Sequence, residues 1–270
     1  MNPTEPTPAA AQTPYPGFAQ SLLPVFLFFL FTSLLTIPSA VLSILKRPGW
    51  AAWALFLGQL GGVVLALKVC LPIGKKAWKD AFPSASVPPG VWPLTLIAMA
   101  GFILVIGGVD GWLNHLIPPP AWFNKAFVNM GWPSIVLGAP LTEEPLFRGL
   151  ILGGFVLRYG TRRAIAYSAL LFALIHLNPW QFPAGLVLGA FLGWLTVRTG
   201  SLWPAVFAHF LNNLAVTLAH AFRIPILADD GFQPFWMWGL GVLLLGLGLM
   251  ALARLTSGLQ VPEGTVGDAA

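Results

Sequence analysis

What this chain has least of is charge. Only 14 Lys and Arg and 9 Asp and Glu are spread over 270 residues, 9% of the chain, where soluble domains carry roughly a quarter. With 57% hydrophobic residues and a mean hydropathy of +0.78, too much apolar surface exists for a soluble core to hide, so lipid is the expected solvent. Cysteine is nearly absent too. Cys70 stands alone, which excludes an intrachain disulfide, and its place beside Leu71 and Pro72 at the end of an apolar stretch marks an inert buried thiol. Residues 1–17 hold no Lys or Arg, so the basic start of a secretory signal peptide is missing, and the apolar run that follows is too long for one. There is no internal repeat, no soluble domain and no HExxH pair.

What is present is a series of apolar runs. Eight stretches, at about 20–45, 50–70, 91–115, 132–156, 164–178, 183–197, 202–221 and 235–254, are long enough to cross or nearly cross a bilayer. The fold class expected is all-α, a polytopic transmembrane helix bundle of about eight helices. The domain is expected over 18–255, with a catalytic core near 130–221, and 164–178 and 183–197 are short enough to form a tight or re-entrant pair. The Pro-, Thr- and Ala-rich residues 1–17 and the stretch 256–270 read as disordered tails.

Basic residues set the orientation. With eight crossings, one side holds the N-terminal tail, Lys68, Lys75, Lys76, Lys79, Arg158, Arg162, Arg163, Arg198 and Arg254, and the other only Lys46, Arg47, Lys125 and Arg223. Positive charge favours the cytoplasm, so both termini are expected there, with the site opening on the same side. The net charge of +5 then reads as basic loops facing anionic lipid, and no nucleic-acid partner is implied.

Most charges sit in loops; the fourth span is the exception. Thr142-Glu143-Glu144-Pro145-Leu146-Phe147-Arg148 interrupts apolar sequence, and charge inside a membrane is costly and usually functional. Glu144 and Arg148, four apart, share a helix face and soften each other's burial. Glu143 lies about 100° round the helix from Glu144 and has no such partner. Alone, a Glu–Arg pair is as readily a bridge that orients helices.

Two further spans carry polar groups at similar depth. His176 ends the FALIH segment, and His209 and Asn213 stand four apart on the seventh span; His115 and His220, near span ends, read as ordinary structural histidines. Measured from the nearest basic residue at 1.5 Å per residue, Glu143, His176, His209 and Asn213 lie about 22, 20, 16 and 22 Å deep. A carboxylate and an imidazole at one depth can hold and deprotonate a water, and an amide with a second imidazole can donate to a developing oxyanion. The set suits acyl hydrolysis without a covalent intermediate.

Glu143, Glu144 and Arg148 (EExxxR), Phe172 and His176 (FxxxH), and His209 and Asn213 (HxxxN), in this order on successive apolar helices, resemble the CAAX protease and bacteriocin-processing family. These are intramembrane glutamic endopeptidases related to the Ras-converting enzyme. The resemblance covers roughly 130–221 and nothing in the first three spans. It implies that Glu143 activates water, that His176 assists, and that His209 and Asn213 form the oxyanion hole. Glu144, Arg148 and Phe172 then support the site, Glu144 being a second candidate for the base. In eukaryotic relatives the substrate is a prenylated C-terminal tail, but bacterial relatives are diverse, so the prenyl group does not carry over to this chain.

The partners expected are membrane lipid and a peptide or protein substrate, lipidated or membrane-associated, and no metal or cofactor is expected. Two readings compete. Two His and two Glu are plausible zinc ligands for a metal-dependent membrane protease, although they are dispersed over three helices and Arg148 would oppose a cation. A non-catalytic scaffold, or a proton-coupled transporter relaying through Glu143, is the other.

Overall fold

In lipid every backbone N–H and C=O must find its partner within the protein, and a helix does so within one segment. A computed structural model of the protein describes residues 14–222, 224 and 233–259; among these, regular structure is helical throughout, apart from an isolated bridge between Ser84 and Ser201. A short 3₁₀ turn, Ala19–Ser21, leads into α1 (Leu22–Leu35) and α2 (Ile37–Ile44). Then come α3 (Pro48–Ile73), α4 (Trp78–Ala81), α5 (Val91–Leu116) and α6 (Ala121–Met130). After a broken segment containing α7 (Ala139–Glu144) follow α8 (Leu152–Tyr159), α9 (Thr161–Leu174), α10 (Phe182–Thr199), α11 (Trp203–Ala221) and α12 (Phe235–Leu255).

Five stretches among the described residues are long and apolar enough to cross a bilayer: Ala19–Ile44, α3, α5, α10 and α12. Their outer faces expose Phe26, Leu57, Leu96, Val242 and other large apolar side chains, as a surface facing lipid requires. The chain is an integral membrane protein built as an all-α bundle.

The eight spans expected from hydropathy are therefore not eight uniform helices. The run at 132–156 is divided: Pro133–Gly138 and Pro145–Ile151 are π-helical, flanking α7. The cause is proline. Pro133, Pro140 and Pro145 have no N–H to give the carbonyl four residues back, and the slip to wider i→i+5 turns accommodates the missing bonds. The run at 164–178 yields only the 14 residues of α9, and α11, with 19 residues, is diluted by His209, Asn212, Asn213 and His220.

Glycine lets the long helices touch. α12 lies along α5, where a Cβ on Gly248 would come within 2.7 Å of the Ala98 backbone nitrogen and one on Gly101 would collide with the backbone of Leu245. Close backbone approach over small residues is how helices associate where lipid offers no hydrophobic drive.

The bundle has two distinct ends. At one, the Tyr15 ring covers Gly74, the Phe18 N–H donates to Tyr159 Oη at 2.9 Å, the Leu202 N–H donates to the Pro83 carbonyl at 2.7 Å, and Arg198 Nη2 donates to the Ala253 carbonyl at 2.6 Å. At the other, Trp180 Nε1 donates to the Ile117 carbonyl at 2.7 Å, Phe123 packs on Trp180 and Trp53 on Trp132. The 26 residues of α5 run between them, about 39 Å at 1.5 Å per residue.

Of the N-terminal tail expected over 1–17, residues 1–13 lie outside the described residues, whereas Tyr15 and Pro16 pack against Gly74 and Gly154. Of 256–270, Thr256 is buried and bonded to the Leu252 carbonyl, and 260–270 lie outside the described residues.

Candidate active site

The broken segment sorts its residues between two cavities. Val136, Leu137, Pro140 and Leu141 face an apolar cavity of about 470 Å³ with no titratable side chain in its wall. Ser134, Ile135, Ala139 and Glu143 face another, of about 370 Å³, whose wall also includes Gln59, Asp110, Phe172, His176, His209, Asn212, Asn213 and His220. Glu143, His176, His209 and Asn213, expected to act together, thus line one space. α7 with its π-helical flanks, the turn after α9, and α11 deliver them.

The two adjacent glutamates have different surroundings. Glu144 is fully buried, with its Oε1 2.7 Å from His209 Nδ1 and its Oε2 3.2 Å from Arg148 Nε; Arg148 Nη1 also donates to Oε1 at 3.3 Å. The Nε contact is coulombic, its angles falling outside hydrogen-bond geometry. Arg148 is itself 1% exposed, donates from Nη2 to the Gly189 carbonyl at 3.3 Å, and stacks 4.3 Å from the centroid of Phe172. A buried charge is tolerated when it is paired, and here the two opposite charges face each other, with hydrogen bonds at Glu144 Oε1 and at both terminal nitrogens of Arg148. Glu143 instead points its carboxylate at the cavity, and its buried Oε2 has no hydrogen-bonding partner in the protein.

Each histidine has one nitrogen committed. His176 stands just past the end of α9, on a turn closed by Leu177 at φ +54°, and its Nδ1 is 2.9 Å from the Phe172 carbonyl. A carbonyl only accepts, so Nδ1 carries the proton and Nε2 is left for the cavity. Gly185 lies beside this ring, where an added Cβ would come 3.9 Å from Nδ1. His209 gives its Nδ1 to Glu144, again leaving Nε2. The Phe172 ring meets both imidazoles edge-on, with centroids at 5.2 and 5.8 Å, and so fixes their planes.

Asn213 Nδ2 donates to the Ile135 carbonyl at 2.8 Å and its Oδ1 accepts from Asn212 Nδ2 at 3.1 Å. Both ends of the amide are held, and its second N–H remains for the cavity. Gln59, Asp110 and Asn212 were not among the residues expected from sequence, and His220 was read as structural. The signal for Asp110 is a carboxylate inside the 26 apolar residues of α5; Gln59 and Asn212 are weaker cases of polar groups in apolar helices.

The structure separates the chain's described ends from the cavity. Residues 14–18 and the end of α12 lie at the bundle end that gathers Lys75, Lys79, Arg158, Arg162 and Arg198, while Asn114, Pro119, Trp180 and His220 of the cavity wall lie at the other. Termini and site opening on one side, as expected from sequence, do not go together in this geometry.

Among the described residues, no three His, Cys, Asp or Glu side chains converge to hold a metal ion. Arg148 fills the position beside Glu144 where a cation would sit.

Residues 125–215, which hold all seven residues singled out by motif, match the family model "Type II CAAX prenyl endopeptidase Rce1-like". Over these residues the chain resembles the Rce1-like endopeptidases. The human CAAX prenyl protease 2 is 28% identical to it over 207 residues, covering 65% of this chain and 58% of the human protein. The chain therefore aligns with less than two thirds of that relative's length, and no solved structure matches it.

Proposed function

We propose that the protein is an intramembrane endopeptidase that hydrolyses a peptide bond with a water held by Glu143 and His176. The observation that carries this reading is the contrast between the adjacent carboxylates: Glu144 is spent on Arg148 and His209, and Glu143 faces the cavity with an uncommitted oxygen. The Rce1-like match over 125–215 supports the reaction class.

In this mechanism the water donates one hydrogen to Glu143 and the other to the lone pair of His176 Nε2. Glu143 takes its proton as the oxygen attacks the substrate carbonyl carbon. The carbonyl oxygen becomes an oxyanion, met by the second N–H of Asn213 and by the Nε2–H of a doubly protonated His209 ring, whose Nδ1–H donates to Glu144. Glu143 then returns its proton to the leaving nitrogen, the C–N bond breaks, and a carboxylic acid and an amine are released. Glu144 and Arg148 act through His209: they hold its ring and touch no substrate. The substrate is a polypeptide segment able to reach a cavity within the membrane domain.

The reading is tested by incubating the reconstituted protein with membranes from cells that lack it and sequencing new peptide termini. Termini that appear with the unaltered protein and vanish with Glu143→Gln are expected. A folded protein that generates none would contradict the reading.

A further inference from the structure

Resting on the protease reading, we infer that the cavity opens to the extracytoplasmic side of the membrane and takes its substrate from there: a segment of an exported or membrane-anchored polypeptide, not a tail offered from the cytosol.

The cavity is closed towards the basic end of the bundle. Every residue from Glu144 to Leu152 is buried, and Leu146, Phe147, Leu150 and Ile151 are at 0% exposure in a core that continues to Phe155. This plug lies between Glu143 and the basic turn at Arg158, Arg162 and Arg163. Towards the opposite end the wall is built from the last turns of α5 and α11 and the first turn of α10, and it rises through Asp110, Asn114, Pro119, Trp180, Gln181 and His220. The route out of the site therefore leads to the end where the loops after α5 and α9 emerge.

That end is poor in positive charge. Among the described residues it holds Lys46, Arg47 and Lys125, against Lys68, Lys75, Lys76, Lys79, Arg158, Arg162, Arg163, Arg198 and Arg254 at the plugged end. Loops rich in Lys and Arg stay in the cytoplasm. Exposed tryptophans stand at both ends, Trp50, Trp112, Trp122 and Trp236 at the mouth and Trp78, Trp92 and Trp203 at the plugged end, as two lipid–water interfaces require. One charge asymmetry thus places the plugged end inside and the open end outside. Asp110, Asn114 and Gln181 give the mouth the polar lining that an extended backbone entering from water needs.

Single-cysteine labelling tests this without reference to activity. In a Cys70→Ser background, Lys125→Cys and Trp122→Cys mark the mouth, and Lys79→Cys and Ser257→Cys the plugged end; all four positions are exposed. A membrane-impermeant maleimide added to intact spheroplasts is expected to modify the first pair, and to modify the second only after lysis. Labelling of the second pair before lysis, or of both pairs equally, would overturn the inference. Should that occur while purified Glu143→Gln is inactive, the protease reading stands and the access side alone falls.

Discussion

His209 Nδ1 stands 2.7 Å from Oε1 of Glu144, on a carboxylate that Arg148 grips from the other side. Two helical segments 65 residues apart in sequence are tied by one buried carboxylate. The cluster fixes the imidazole that faces the cavity, and it leaves the neighbouring Glu143 as the carboxylate available to a water.

Arg148→Ala is therefore expected to damage the fold more than the chemistry. It strands Glu144 without its cation, and losing one partner of a buried pair costs about 3–5 kcal/mol. Thermal unfolding in detergent should show a clear fall in Tm, largely recovered when Glu144→Gln is added to Arg148→Met, which removes both charges. An unchanged Tm for Arg148→Ala would contradict the pairing.

Asn213→Ala is expected to lower kcat by about 10²–10³-fold, the usual loss for one oxyanion donor, with Tm little altered. Asn212→Ala removes only the bond that orients Asn213 and should lower kcat by less. Equal losses in KM and none in kcat would assign Asn213 to substrate binding instead.

Much of this site was legible in the sequence because membranes penalise polar groups so heavily. Glu143, Glu144, Arg148, His176, His209 and Asn213 stand out against apolar neighbours, and helix rise alone put four of them at one depth. The helical fold and the membrane setting followed from the same scarcity of charge. The broken segment at 132–156 did not follow, since hydropathy averages over prolines whose effect is on backbone register. Spacing paired Glu144 with Arg148 and left Glu143 without a partner, but it could not give the second tether of Glu144, His209, 65 residues away. The side on which the cavity opens depends on which end of the bundle is packed shut, a tertiary property that a count of basic residues does not contain.

Activity is expected to survive chelation. The candidate ligands Glu143, His176 and His209 are held by separate segments, and Arg148 occupies the neighbourhood of Glu144. The purified protein should cleave at an unchanged rate in EDTA and carry no stoichiometric zinc. Loss in EDTA with recovery on adding zinc would promote the metal-dependent reading.

His176→Ala removes the second acceptor for the water and is expected to cost roughly 10²–10⁴-fold in kcat, the range for an acid–base group. His220→Ala, in the same wall but nearer the mouth, should leave kcat within a few-fold. A larger loss at His220 than at His176 would move the chemistry towards the mouth, at the end of α11.

The central claim rests on Glu143, and Glu143→Gln tests it most directly, because the amide keeps the shape and hydrogen-bonding reach of the carboxylate but cannot accept the proton. Cleavage measured beside Tm should fall by at least the roughly 10²–10⁴-fold typical of a lost general base, with Tm unchanged or raised, since the charge on a half-buried carboxylate with one unpartnered oxygen has gone. Full cleavage by a well-folded Glu143→Gln protein would contradict the role assigned to this residue.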